Sequence, residues 1–544
     1  MAVLEVPEEL NLAATHEAIE ATIPDRECIV WRDRRLTWSQ VGDRSRRLAA
    51  VLADAGLGTH SALSACKPWE SPHDHVALYL HNGNEYLEGL LGAAKARCAA
   101  VNVNYRYVAE ELRYVLADSD ARAIVFHSAF ASTLEEVLPS LPRLTLLLQV
   151  DDGTGGGLLP GALEYEAALA AASPLQPRGL SPDDLYILYT GGTTGMPKGV
   201  LWRQADFLAA CLGVGQTTAQ IVAAAAHGSL RALPAPPFMH GAAHWNAISA
   251  WLAGGTVVVQ DNAVHLDPRD VLETISRERV TSLLIVGDAF ARPLVDELRH
   301  GSHDLAGLRF LLTGGALLSS SVKHDLLELV PHLQIVDVLG SSETGRQGVA
   351  RSRRDQAVPS GSFARSPTAV VLSEDLSRRL HPGDPELGWL AQTGRVPLGY
   401  LGDPAKTART FPIVGGTRHA VAGDRARLLE DGSIELHGRD SVTINTGGEK
   451  VFAEEVEEAL KRHPAVFDAV VVGRPSERWG QEIVGVVQLR PGHADVTDEE
   501  LRASAAEHLA RYKLPKEFVR VPTVERSPSG KPDYRWALAA AIPS

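Results

Sequence analysis

Residues Tyr189 to Val200 read Tyr-Thr-Gly-Gly-Thr-Thr-Gly-Met-Pro-Lys-Gly-Val, and no other stretch restricts the possible folds of the chain so sharply. The segment follows Leu185-Tyr186-Ile187-Leu188, a short run of strand formers. It precedes Trp202 to Leu212, whose apolar residues recur at helical spacing, so the pattern predicts a strand-to-helix loop. Gly191, Gly192, Gly195 and Gly199 let the backbone turn its amides inward, Thr190, Thr193 and Thr194 add hydroxyl donors, and Lys198 adds a positive charge. Together these suit a polyphosphate. A Walker loop needs Gly-Lys-Ser/Thr, whereas Lys198 follows Pro197 and precedes Gly199, which disfavours a P-loop NTPase. Taken alone, a Gly/Thr run also fits a plain surface turn.

The rest of the chain alternates strand and helix signals. A hairpin is expected over Cys28 to Trp38 and a helix over Val41 to Ala55, then a βαβ unit from Val76–Leu80, Glu85–Cys98 and Ala100–Val103. Beyond the Gly/Thr stretch, strands are expected near Gly255–Gln260, Ser282–Gly287, Arg309–Thr313 and Gln334–Leu339. The expected class is α/β, a large N-terminal domain of several sheets wrapped by helices (1–438) followed by a small mobile α+β C-terminal domain (439–544). The boundary is placed at Gly438-Arg439-Asp440-Ser441, and a helix is expected from Thr497 to Tyr512.

Several further stretches carry chemistry. Asp337-Val338-Leu339-Gly340-Ser341-Ser342-Glu343-Thr344-Gly345 ends a strand in a turn with one carboxylate, Glu343, a hard oxygen ligand suited to Mg²⁺. A Glu in a turn is also often only solvated. His240 stands in the apolar Pro236-Pro237-Phe238-Met239-His240-Gly241, either as a packing residue or at a site. Ala242 to Leu252 and Asp288 to Leu294 are equally good as pocket walls or as core. Lys531 lies in Pro528-Ser529-Gly530-Lys531, and with only ten lysines among 53 basic residues its presence there is less casual than an exposed lysine usually is.

In their order along the chain, these motifs resemble the acyl-adenylate-forming enzymes, a superfamily that includes acyl-CoA synthetases, luciferases and peptide-synthetase adenylation domains. Asn102-Val103-Asn104-Tyr105-Arg106-Tyr107 and Ser527 to Arg535 look particularly like actinobacterial fatty-acyl and steroid side-chain CoA ligases. The resemblance implies that a carboxylate attacks Mg-ATP to give acyl-AMP, from which CoA displaces AMP. Its cofactors and partners would be ATP, Mg²⁺, coenzyme A and a large hydrophobic acid. It implies nucleotide contacts at Thr190 to Gly195, Lys198, Gly315, Ala316, Asp337, Gly340, Ser341 and Ser342, and a metal at Glu343. His240 would gate the acyl site, Asp424 and Arg439 would hold the ribose, and Gly447 and Gly448 would enter the site for thioester formation. Lys531 would serve adenylation, so the catalytic set is Lys531, Lys198, Glu343 and His240. The chain has Gly191 where the family has Ser, Leu339 where an aromatic stacks on adenine, and Ser441 at the hinge. The alternatives are an acyl-AMP ligase that serves a carrier protein or performs one half-reaction, a luciferase-type oxygenase, and a nucleotide-binding regulator without turnover.

The net charge of −14 argues against nucleic-acid or anionic membrane surfaces. Four scattered cysteines without a Cys-x-x-Cys pair imply neither a disulfide framework nor a zinc site. No run reaches the ~18 consecutive apolar residues of a membrane span. With an N-terminus unlike a secretory signal, these features lead us to expect a cytoplasmic protein with no integral membrane part; a homodimer is left open.

Overall fold

The computed structural model describes residues 9–190, 196–446, 449–476, 480–527 and 530–542. The βαβ unit forms as expected, with strands His75–Tyr79 and Ala99–Asn102 joined by helix Asn84–Lys95. It belongs to a five-stranded sheet in which all pairings are parallel. His75–Tyr79 and Leu146–Val150 are buried at every position, as strands covered by helices on both faces must be.

A second sheet has thirteen strands. Its central strands Arg231–Pro234, Ser282–Ile285, Phe310–Gly314 and Gln334–Ser341 run parallel. From Gln334–Ser341 onward the pairings become antiparallel, through Gly345–Ser352, Ser362–Arg365, Ile434–Arg439, Ala420–Leu428, Gly388–Gln392 and Ala369–Leu372. This change of direction puts Gly314-Gly315-Ala316, the Glu343 turn and the pair Asp424 and Arg439 on one region of the molecule.

The Gly/Thr stretch does not join a strand to a helix. Lys198–Arg203 is itself a strand, paired antiparallel with Leu185–Thr190 in a register from Leu185↔Arg203 to Thr190↔Lys198. Val200, Leu201 and Trp202 are all fully buried, a continuous apolar run that a strand accommodates and an amphipathic helix does not. The helix starts only at Gln204 and ends at Ala210. Gly399–Tyr400 adds a third strand, pairing Tyr400 with Val200.

The last hundred residues build a smaller sheet, including Val466–Ser476, Gly480–Leu489 and Glu517–Arg520, with helices Ala453–Lys461 and Tyr534–Ala541. The helix expected to reach Tyr512 spans only Asp498–Ala506, opened by a Thr497 and Glu500 capping box. Beyond it Leu509 and Leu514 both turn into the core with Leu501, and Pro515 forces the residue before it into an extended conformation.

Candidate active site

Asp424 and Arg439 are direct cross-strand partners, with Arg439 Nε donating to Asp424 Oδ1 at 3.2 Å. The Asp424 carboxylate, with Glu343 adding, holds the guanidinium pKa above its usual value against burial. In the turn after Gln334–Ser341, Glu343 N donates to Ser341 Oγ at 3.3 Å, and Ser341 N to Thr344 Oγ1 at 3.1 Å. Trp202 Nε1 donates to Ser342 O at 2.9 Å, and Tyr400 Oη to Glu343 Oε1 at 2.9 Å. Both bonds tie the Glu343 turn to the small sheet that carries Lys198. Gly340 is required by close approach, since a Cβ there would stand 2.2 Å from Gly345 O.

Lys531 reaches this region from the C-terminal part of the chain. Its loop is closed by Ser527 N donating to Lys531 O at 2.8 Å and Lys531 N donating to Ser527 Oγ at 3.2 Å. Gly530, at φ +76°, abuts Val286 O and the Phe290 ring, where any side chain would be both strained and crowded. That contact delivers Lys531 Cε to 3.7 Å from where a Cβ on Gly315 would lie. The Lys531 side chain is open to solvent within its recess, yet the surrounding protein pushes its ammonium down to about 8, with Arg439 adding and Glu343 and Asp424 opposing.

His240 caps helix Gly241–Leu252, and its Nε2 is buried without a partner. Burial, with Lys531, His244 and Arg106 nearby, drives its pKa to about 3, so the ring is neutral at physiological pH. Lys198 Nζ lies 3.1 Å from Asp118 Oδ1 at the base of the hairpin.

Some expectations are displaced. The Asp337 side chain is buried and committed to Lys323, at 3.2 Å, and so is a structural ion pair on the strand below the site. Leu339 is packed with Ala350 and Phe363 in an apolar cluster, so the missing aromatic does not leave an open gap there. Asp288 pairs with Arg292 at 3.2 Å and with Lys461 at 3.5 Å, and Phe290 and Leu294 belong to a core cluster. The segment Asp288 to Leu294, left open as pocket wall or core, takes both parts: it contributes to the core, pairs with the C-terminal helix through Lys461, and lines a cavity with Asp288, Phe290 and Arg292. Gly191 to Gly195 and Gly447-Gly448 lie outside the described residues, although Thr446 and Glu449 pair on either side of the latter.

Tyr400 and Asp118 were not found from sequence. Tyr400 had a signal, since Gly399-Tyr400-Leu401-Gly402-Asp403-Pro404 is punctuated like a turn. Asp118 ends an ordinary helix and carried none.

Residues 16–395 match the model of the AMP-binding enzyme family, and residues 455–531 match the AMP-binding enzyme C-terminal domain. The chain is 52% identical over 542 residues to the medium-chain acyl-CoA ligase Mig of Mycobacterium avium, covering 98% of each. It is 41% identical over 540 residues to a medium/long-chain-fatty-acid–CoA/3-oxocholest-4-en-26-oate–CoA ligase of Mycobacterium tuberculosis, covering 97% of this chain and 95% of that one. Its fold matches that of the anthranilate CoA ligase AuaEII in complex with anthranoyl-AMP at a TM-score of 0.82, with 21% identity and 99% of each chain covered. The chain belongs to the AMP-binding enzyme family. Within it, the chain is an AMP-forming acid–thiol ligase, an ATP-dependent acyl-CoA ligase for hydrophobic acids.

Proposed function

We propose that the chain activates a medium- or long-chain fatty acid, or a carboxylic acid on a steroid side chain, in two half-reactions served by different placements of residues 439–544. The observation that carries this reading is Lys531, held beside Gly315 in the same recess as Glu343, Asp424 and Arg439. A cation there neutralises charge developing between an attacking carboxylate and the α-phosphorus, which suits charge stabilisation of a phosphoryl-type transition state. The pyrophosphate leaves toward the Lys198 hairpin, and the acyl group is later taken by the CoA thiol. No residue need act as a nucleophile.

The site suits its partners. The Asp424 carboxylate can accept from ribose hydroxyls while Arg439 fixes its orientation. The unpartnered His240 Nε2 offers a hydrogen bond at the acyl end. Glu343 is a lone hard carboxylate oriented by Tyr400, and the described residues hold no cluster of three or more His, Cys, Asp or Glu. That donor set fits Mg²⁺, which keeps waters and takes its remaining ligands from phosphate; the ion would neutralise phosphate charge. Between the N- and C-terminal parts a cavity of about 310 Å³ is lined by Arg106, Arg292 and Arg526 together with Asp288 and Asp468; the aspartates pair with Arg292 and Arg526, and Arg106 offers a cation to a CoA phosphate.

Among the described residues no helix is long and apolar enough to cross a membrane. The test is a panel of medium-chain, long-chain and steroid side-chain acids supplied with ATP, Mg²⁺ and CoA, following AMP and thioester. The expected result is stoichiometric AMP and thioester from at least one hydrophobic acid. AMP without thioester, or neither product across the panel, would overturn the proposal.

A further inference from the structure

Outside the residues already assigned, one carboxylate gathers donors from both legs of the phosphate hairpin. Asp118, the last residue of helix Ala109–Asp118, lies 3.1 Å from Lys198 Nζ through Oδ1. Its Oδ2 accepts from Tyr189 Oη at 2.8 Å, and Tyr114 Oη donates to Oδ1 at 3.2 Å. Tyr189 and Lys198 stand on opposite strands, since the register pairs Tyr189 with Gly199 and Thr190 with Lys198. One carboxylate thus bridges the two legs immediately below the turn. Lys198 Nζ also lies over the Tyr114 ring, 5.5 Å from its centroid, so the head is held by the carboxylate and the ring together.

We propose that Asp118 is a positioning residue for the ligase reaction, fixing the Lys198 ammonium at the base of the hairpin so that its free N–H groups face the leaving pyrophosphate. An ammonium has three donors and a flexible four-carbon stem, and without an anchor much of its binding to phosphate would be lost to ordering that stem. Lys198 retains 23% side-chain exposure beside Asp118, which leaves part of the head free for a phosphate. The pair is therefore compatible with nucleotide binding and does not have to break for it. Tyr189 and Tyr114 keep the carboxylate from swinging away, so their hydroxyls act through Asp118 as Asp118 acts through Lys198.

The inference rests on the reading of this hairpin as the polyphosphate site. The test is equilibrium binding of ATP, pyrophosphate and AMP to the full chain and to Asp118→Asn, Lys198→Ala and the double variant, with Asp118→Glu as the conservative replacement. Asp118→Asn is expected to weaken ATP and pyrophosphate by roughly 10-fold, the scale of one hydrogen bond to a charged group, while AMP binding is unchanged. Asp118→Glu should recover part of the loss, and in the Lys198→Ala background Asp118→Asn should add nothing further. Equal weakening of AMP, or an undiminished effect of Asp118→Asn without Lys198, would overturn the positioning role. If the parent chain binds AMP but neither ATP nor pyrophosphate, the hairpin reading falls and the inference with it.

Discussion

Tyr400 donates its hydroxyl to Glu343 Oε1 at 2.9 Å from a strand that pairs Tyr400 with Val200, two residues along from Lys198. The cation of the hairpin and the carboxylate of the turn are thereby set by the same small sheet, and what moves one strand moves both. Tyr400 is nearly buried, and burial followed by the Glu343 charge raises its phenol pKa well above normal, so the hydroxyl remains a donor at any working pH.

Tyr400→Phe should accordingly loosen Glu343 without removing it. A hydrogen bond to a charged group contributes about 1.5–3 kcal/mol, so roughly a 10-fold rise in the Mg²⁺ concentration needed for half-maximal ATP–pyrophosphate exchange is expected. Glu343→Gln should raise it further. An unchanged Mg²⁺ requirement in both variants would remove Glu343 from the metal site.

Leu339 tests the adenine side. With Leu339 packed against Ala350 and Phe363, a tyrosine there has to displace core atoms, and overpacking of this kind costs about 1–3 kcal/mol. Leu339→Tyr should lower the unfolding midpoint and fail to tighten ATP. Tighter ATP binding with undiminished stability would show that the larger ring finds room over the base.

Much of this arrangement was legible in the sequence because it depends on local chemistry. The βαβ unit followed from alternating apolar runs, and the partnership of Asp424 and Arg439 emerged from two flanking motifs that a cross-strand register brings together. What failed depended on tertiary context. The strand-to-helix reading of the Gly/Thr stretch lost to a second buried strand through Val200, Leu201 and Trp202, which leaves the helix expected over Trp202 to Leu212 only Gln204–Ala210. Strand alternation turns the Asp337 side chain toward Lys323, an ion pair that the local sequence does not announce. Asp118 was invisible because its meaning comes from Tyr189 and Lys198, some seventy to eighty positions away.

Glu454 supplies a pH prediction. Its Oε2 is enclosed, 2.5 Å from where a Cβ on Gly438 would lie, and burial with Glu457 nearby raises the carboxyl to about 8. A carboxyl whose folded pKa is raised holds its proton in the folded state after the unfolded chain has released its own. The stabilisation is complete below the ordinary value near 4.5 and is lost as pH rises through about 8. Glu454→Gln, neutral throughout, should gain in unfolding midpoint relative to the parent between pH 5 and pH 8 and hold that gain above it. A difference independent of pH would mean that Glu454 is already ionised in the folded protein.

Lys531 carries the pH dependence of the site itself. With its ammonium at about 8, adenylation should decline as pH rises through that value in the free enzyme, and ATP, which favours the charged form, should move the decline upward. Rates of lysine acylation at Lys531, followed by peptide mass analysis with and without ATP, would read both values. A midpoint near that of ordinary lysine, unmoved by ATP, would contradict the placement.

The division of the reaction between two placements of the C-terminal part is tested most directly by Lys531→Ala in each half-reaction. Loss of a donor that acts on transition-state charge costs on the order of 100- to 1000-fold, so ATP–pyrophosphate exchange should fall by that amount. Supplied with preformed acyl-AMP and CoA, the same folded variant should form thioester at close to the parental rate. Equal loss in both half-reactions, or exchange at the parental rate, would contradict the account.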